Sequence, residues 1–373
     1  MKWLFWGGGL TILYTYLGYP VWLWLRARWV PATVLRSECT PFVSVVMVVR
    51  NEEKVLREKL LNLLSLNYPV QKLELIVISD GSTDGTERIL AGFSWEPRLR
   101  WMAKSRPYGK IAGLNDAIAM ARTEILVFTD ARQQIETDAL RFLLENFADP
   151  NVGCVSGELM LGSQAAGESA QGLGLYWRVE KKIRELESVS GSVMGATGAF
   201  YAVRRELLSL LPPELILDDV YIPLNVLRQG RRVLFDSRAR AWDVPNLGAS
   251  REFARKVRTL TGNYQLVQLS PWLMTSANPA RFQFISHKLM RLLSPFALVA
   301  ILIASFFLPQ PIYRLALISQ ILLYGLSLMA IRSLALGPLA RLADASLTFV
   351  ILNTAALVAF LNFVTGRKVV WTR

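Results

Sequence analysis

The stretch VFTDAR, residues 127 to 132, carries a carboxylate, Asp130, to the end of an apolar run, and two positions later, where a second acid would help hold a cation, stands Arg132. A carboxylate and a guanidinium so spaced can serve a divalent ion, face phosphate oxygens, or do no more than end a strand. Two earlier apolar runs end in polar clusters of the same kind, RNEE at 50 to 53 and SDGSTDGT at 79 to 86. Any one of the three is equally a turn or a helix cap, because Asp, Ser and Gly dominate both. Their convergence is what suggests chemistry. Asp80 and Asp130 ending neighbouring strands would set two carboxylates at one sheet edge, where a cation bridging diphosphate oxygens could sit. Farther along, ILDDVYIPLNVLRQG (216 to 230) starts a helical pattern with tandem acids, Asp218 and Asp219, which can be plain N-caps.

These side chains need a scaffold, and between Pro41 and about Gln265 the periodicity supplies one. FVSVVMVV (42 to 49) reads as a buried strand and EEKVLREKLLNLLSL (52 to 66) as an amphipathic helix with apolar residues three and four apart. LELIVIS (73 to 79), LRWMA (99 to 103) and EILVFTD (124 to 130) read as further strands, with helices from about Asp84 and over KIAGLNDAIAMAR (110 to 122). Strands alternating with helices make βαβ units, whose ligand sites lie at the carboxyl ends of the strands.

Taken together, VSVVMVVRNEE, IVISDGSTDGT and GKIAGLNDAIAMARTEILVFTDA closely resemble the N-terminal half of family 2 glycosyltransferases of the GT-A fold. With apolar helices flanking the domain, the chain resembles the membrane-bound, cellulose-synthase-like branch, which includes hyaluronan, chitin and poly-N-acetylglucosamine synthases and ceramide glucosyltransferase. The resemblance implies an α/β GT-A catalytic domain with a Rossmann-like mixed sheet, a nucleotide-sugar donor of the UDP class, and a Mg2+ or Mn2+ ion. It implies that Glu52 and Asp80 contact the nucleotide, that Lys110 faces the diphosphate, and that Asp130 is the first acid of the metal-facing D-x-D. Asp219 matches the general base of an inverting transfer, with Asp218 beside it and Gly198, in GATGAFYAVRR (195 to 205), on the acceptor side.

Two departures from the family pattern stand out. The D-x-D is D-A-R here, so Arg132 is expected to touch the diphosphate or to pair with an acid such as Asp80. The Q-x-x-R-W signature becomes Arg255, Arg258 and Thr259 in EFARKVRTLTGNYQ: Arg258 keeps a phosphate-facing charge, and Thr259 replaces the aromatic that stacks on the acceptor. Two acceptors follow as expectations, a growing polysaccharide first and a membrane lipid second; the departures at Arg132 and Thr259 also raise, as the last alternative, a catalytically inactive membrane scaffold.

Composition points to a bilayer. Hydrophobic residues make up 52% of the 373, and mean hydropathy is +0.31. Trp3 to Leu25 is expected to be a retained transmembrane helix, and Leu292 to Leu308, Leu315 to Ile331 and Ala345 to Val364 three more. The resulting layout is an N-terminal transmembrane helix (1–28), a GT-A domain (41–266), an interfacial segment (267–291), and C-terminal helices with a tail (292–373). Basic residues after the first span place the catalytic domain in the cytoplasm, under the inner or plasma membrane. The net charge of +13 comes without basic runs interleaved with stacking aromatics, which argues for anionic lipids and substrate rather than nucleic acid. A lone His287 is expected to be structural, and two distant cysteines make no disulfide framework. The charged helix LYWRVEKKIRELES (175 to 188) is expected to pack on the sheet, and the tail VVWTR resembles that of hyaluronan-type synthases.

Overall fold

The computed structural model describes residues 1–163, 168–169, 175–243, 249–332 and 337–367. The chain forms two compact units, a sheet unit of residues 31–170 and 187–245 and a helical unit of residues 1–30, 171–186 and 246–373.

The sheet unit holds β1 (Val43–Val49), β2 (Leu73–Asp80), β3 (Leu99–Lys104), β4 (Ile125–Thr129), β5 (Gln134–Ile135), β6 (Val152–Ser163), β7 (Glu168–Ser169), β8 (Phe200–Arg204) and β9 (Arg232–Asp243). They form one mixed sheet in the order β3-β2-β1-β4-β8-β6-β9-β5, with β7 paired to β6. The first four strands are parallel, and β8 enters antiparallel between β4 and β6. This is the Rossmann-like mixed sheet expected, with one correction: β1 lies between β2 and β4, so Asp80 and Asp130 end strands two apart rather than adjacent ones.

Burial on both faces explains why the strands read as continuous apolar runs, since every residue of β1 and of β4 is buried. The helix Leu56–Leu64 covers one face through Leu56, Leu60 and Leu63. Each of these leucines contributes on the order of 1.5–3 kcal/mol by leaving water. The helix Lys110–Met120 approaches β1 closely enough that a Cβ on Gly113 would lie 2.7 Å from Val48 Cγ1. That close fit sets the height of Lys110 at the helix start.

In the helical unit, three helices are long and apolar enough to cross a membrane: Arg281–Phe307, Pro311–Ile331 and Ala340–Val364. The first begins well before Leu292, as an α-turn and a π-helical turn (Phe284–Leu289) that run into the apolar segment. The N-terminal helical stretch, Lys2–Leu13 through a π-turn to Tyr19–Trp29, is not among the three. Its run of glycines and its polar-tipped aromatics keep it less apolar than the C-terminal spans. It packs within the helical unit all the same: Phe5 meets the Tyr313 ring edge-on at 4.6 Å, and a Cβ on Gly8 would lie 2.9 Å from the Ala297 carbonyl oxygen.

The helix Leu175–Ser190 corrects a second expectation. Up to Leu186 it belongs to the helical unit, where Ile183 packs with Tyr19 and Leu23. Its Glu180 takes the Arg291 guanidinium at 2.6 Å and lies 3.2 Å from His287 Nε2. Charged residues of this helix thus find partners within the helical unit, and His287 is buried. The tail VVWTR lies outside the described residues.

Candidate active site

The sheet delivers its chemistry at the carboxyl end of β4. Asp130 follows Thr129 there and is partly exposed, and its Oδ1 lies 3.3 Å from Lys110 Nζ. The same ammonium lies 3.3 Å from Asp218 Oδ2, and Asp218 is buried at the start of the helix Asp218–Arg228. Residues distant in sequence therefore converge on one lysine. Burial alone would lower the Lys110 pKa, but the charges of Asp130, Asp218 and Asp219 outweigh it and hold the group above the ordinary lysine range. The result is a fixed cation beside a partly exposed carboxylate, a setting suited to an anionic group that arrives with charge to be neutralised.

Asp219, half-buried, follows Asp218 in the first helical turn, where the dipole favours acids. Its carboxylate faces Gly198: a Cβ added there would meet Asp219 Oδ2 at 3.3 Å. The glycine-rich segment is pinned on three sides. Ala196 N–H donates to the Asp219 carbonyl at 2.7 Å, Thr197 N–H to Ser156 Oγ at 3.0 Å, and Thr129 Oγ1 to the Ala199 carbonyl at 2.8 Å. Two residues on, Tyr201 stacks on Phe128 at 4.8 Å and is buried, with no hydrogen-bond partner for its hydroxyl among the described residues. Burial, and then the charges of Asp218 and Asp219, push this phenol well above its usual range.

On the other flank, Asp80 is fully buried and both its oxygens are committed: Tyr108 N–H donates to Oδ1 at 2.8 Å and Gly109 N–H to Oδ2 at 2.9 Å. What Asp80 visibly does is fasten the turn that introduces Lys110. Gly81, at φ +62°, permits this approach, since a Cβ there would lie 2.5 Å from Pro107 N. Glu52 N–H donates to Thr86 Oγ1 at 2.8 Å, Thr83 N–H to Asn51 Oδ1 at 2.8 Å and Gly85 N–H to Glu53 Oε2 at 2.8 Å. RNEE and SDGSTDGT are thus laced into one surface beside the site.

Arg132 is exposed and makes no ion pair among the described residues. With Asp80 saturated by amides, the expected Arg132–Asp80 pair does not form. No group of three or more His, Cys, Asp or Glu able to hold a metal occurs among the described residues. Asp130 is the carboxylate that the D-A-R turn itself presents.

Residues 44–211 match the family model for glycosyl transferase family 2. The chain carries a family 2 glycosyltransferase domain. Relatives of this chain include the poly-beta-1,6-N-acetyl-D-glucosamine synthase of Staphylococcus epidermidis, 23% identical over 234 residues, covering 62% of this chain and 56% of that protein. The synthase of the same name from Staphylococcus aureus is 22% identical over 229 residues, covering 60% of this chain and 55% of that protein. The chain thus spans about half the length of the curated relatives it matches. Among solved structures, a mannosyltransferase from Pyrobaculum calidifontis in complex with GDP-Man and Mn2+ superposes with a TM-score of 0.73 at 22% identity, over 96% of this chain and 99% of that one. This likeness shows the GT-A fold.

Arg255, Arg258 and Thr259 lie on the helix Ala249–Leu269 of the helical unit. Arg255 pairs with Glu252 at 2.7 Å, and Thr259 Oγ1 donates back to the Arg255 carbonyl at 3.1 Å. Two buried residues at the β4 end, Lys59 and Tyr201, are not predicted from the sequence. For Lys59 the signal was present: Leu56, Lys59, Leu60 and Leu63 occupy one helical stripe, and a lysine inside an apolar stripe is anomalous. Tyr201 carries no such mark, because a tyrosine in a strand reads as ordinary core.

Proposed function

We propose that this glycosyltransferase is an inverting membrane enzyme that moves a sugar from a UDP-sugar onto a growing cell-surface polysaccharide. The observation that carries the reading is the convergence of Asp130 and Asp218 on Lys110, with Asp219 beside them and facing Gly198. In a single displacement, Asp219 removes the proton of the acceptor hydroxyl as that oxygen attacks the anomeric carbon. The bond from that carbon to the diphosphate oxygen breaks on the opposite face, and the nucleoside diphosphate leaves with the bonding pair. Lys110 and the exposed Arg132 meet the charge that develops on the leaving oxygen. Asp218 holds Lys110 in place, and Gly198 leaves the acceptor side of Asp219 open.

A Mg2+ or Mn2+ ion held by Asp130 and the donor phosphates would neutralise charge on the same diphosphate. Adding a chelator to purified enzyme is expected to lower turnover at least tenfold, with Mn2+ restoring it; full turnover in chelator removes the ion from the account. Glu52 is assigned to the nucleotide, and Arg258 and Thr259 to phosphate and acceptor, by family resemblance; Asp80, assigned to the nucleotide on the same ground, is fully buried here and serves the donor side by holding the turn that introduces Lys110. The reading places the enzyme in the inner membrane with its catalytic domain in the cytoplasm; the three apolar C-terminal helices support the membrane, and the basic residues Arg26, Arg28 and Arg36 after the N-terminal helical stretch support the orientation.

The synthase relatives favour a polymer product, whereas Thr259 in place of a stacking aromatic favours a lipid acceptor. Radiolabelled UDP-sugars given to the purified chain in lipid discs decide between them. A ladder of lengthening products supports the polymer, and one lipid-soluble species supports the lipid.

A further inference from the structure

Lys59 is fully buried within the apolar stripe of the helix Leu56–Leu64. Its ammonium donates to Thr129 Oγ1 at 2.9 Å and to the Gln133 carbonyl at 2.6 Å, and it forms no ion pair among the described residues. Those two acceptors bracket Asp130, Ala131 and Arg132. Each is tied onward as well: Thr129 Oγ1 donates to the Ala199 carbonyl at 2.8 Å, and Gln133 Nε2 to Asp243 Oδ2 at 3.0 Å.

A buried ammonium without a counter-ion is a costly way to fill space, and a methionine of similar length would pack there without the desolvation penalty. Burial pulls the Lys59 pKa down to about 7, with the Asp130 charge acting the other way. The position therefore works against stability, and its geometry indicates what it does instead. A backbone carbonyl and a hydroxyl four residues apart are gripped by one group, which fixes the chain between them.

We propose that Lys59 is a positioning residue for sugar transfer, clamping both flanks of the Asp130–Arg132 turn and, through Thr129, tying that turn to the glycine-rich segment facing Asp219. Donor-facing and acceptor-facing groups are then held in register from beneath the sheet edge. The inference rests on the reading of Asp130 and Arg132 as donor-facing.

The test uses the full chain in lipid discs, with Lys59→Met, Thr129→Val and the double variant. Three quantities are read for each: the thermal unfolding midpoint, the dissociation constant for UDP by calorimetry, and kcat with the donor KM. Lys59→Met is expected to keep or raise the midpoint while weakening UDP at least tenfold and raising the donor KM in step. Thr129→Val is expected to move the same constants in the same direction, and the double variant to bind UDP no worse than the weaker single, because the two residues act as one unit. A Lys59→Met midpoint that collapses together with activity would show a merely structural lysine and overturn the proposal. So would unchanged UDP binding in Lys59→Met, or losses that add in the double variant. If Lys59→Met does not fold, Thr129→Val decides: a stable Thr129→Val that weakens UDP at least tenfold supports the clamp, and one that binds UDP like the wild type overturns it. Failure of the functional reading looks different: the wild-type chain itself then binds no UDP.

Discussion

Asp219→Asn is expected to lower sugar transfer by about 10²–10⁴-fold, the usual loss on removing a general base, while UDP binding stays within about threefold, since only a transition-state interaction is removed. The substitution keeps the shape of the first helical turn and the hydrogen bond from Ala196 N–H to the residue 219 carbonyl, so the fold should persist. Neighbouring Asp218 provides the contrast. It is buried and paired with Lys110, so Asp218→Asn is expected to disturb donor binding as well as turnover. A split between the two variants, one losing kcat alone and the other losing KM too, is measurable by initial rates over a range of donor concentrations. Equal residual activity in Asp219→Asn and wild type would remove Asp219 from the chemistry.

Lys110→Met should be the most damaging substitution overall. It leaves the buried Asp218 without its cation, a change that costs on the order of 3–5 kcal/mol when one partner of a buried pair is removed. It also removes the fixed charge awaiting the diphosphate. The two effects can be separated with the double variant Lys110→Met/Asp218→Asn, which eliminates the stranded charge. The double variant is expected to regain most of the unfolding midpoint but none of the donor affinity. Recovery of UDP binding along with stability would mean that Lys110 serves the fold and not the donor.

Much of this arrangement was legible before any coordinates. The parallel strands β1, β2 and β4 announce themselves as short apolar runs rich in β-branched residues, because nearly all of their side chains are buried; β3 is only partly buried and carries Arg100 within it. Asp130, Lys110 and Asp219 are legible because strand ends and helix starts fix where side chains emerge. Long-range order was not: the insertion of β8 between β4 and β6, and the place of β1 between β2 and β4, depend on pairings that leave no local trace. For the same reason Asp80 appeared to be a neighbour of Asp130, and Arg132 a partner for Asp80. The amides of Tyr108 and Gly109, which saturate Asp80, come from a loop whose path is set by Gly81 and Gly109 at positive φ. The N-terminal helix shows a different limit. Length and lack of charge suggested a span, but glycines and aromatic tips leave it less apolar than the three C-terminal helices.

The most direct test of the central claim, that Lys110, Asp130 and Asp219 surround the reacting diphosphate and sugar, is an experimental structure of the full chain with UDP bound. The account predicts the diphosphate against Lys110 Nζ and beside Asp130, with Asp219 and Gly198 bordering the space where the sugar would project. UDP bound elsewhere, with Lys110 still closed between Asp130 and Asp218 and no phosphate near it, would contradict the account.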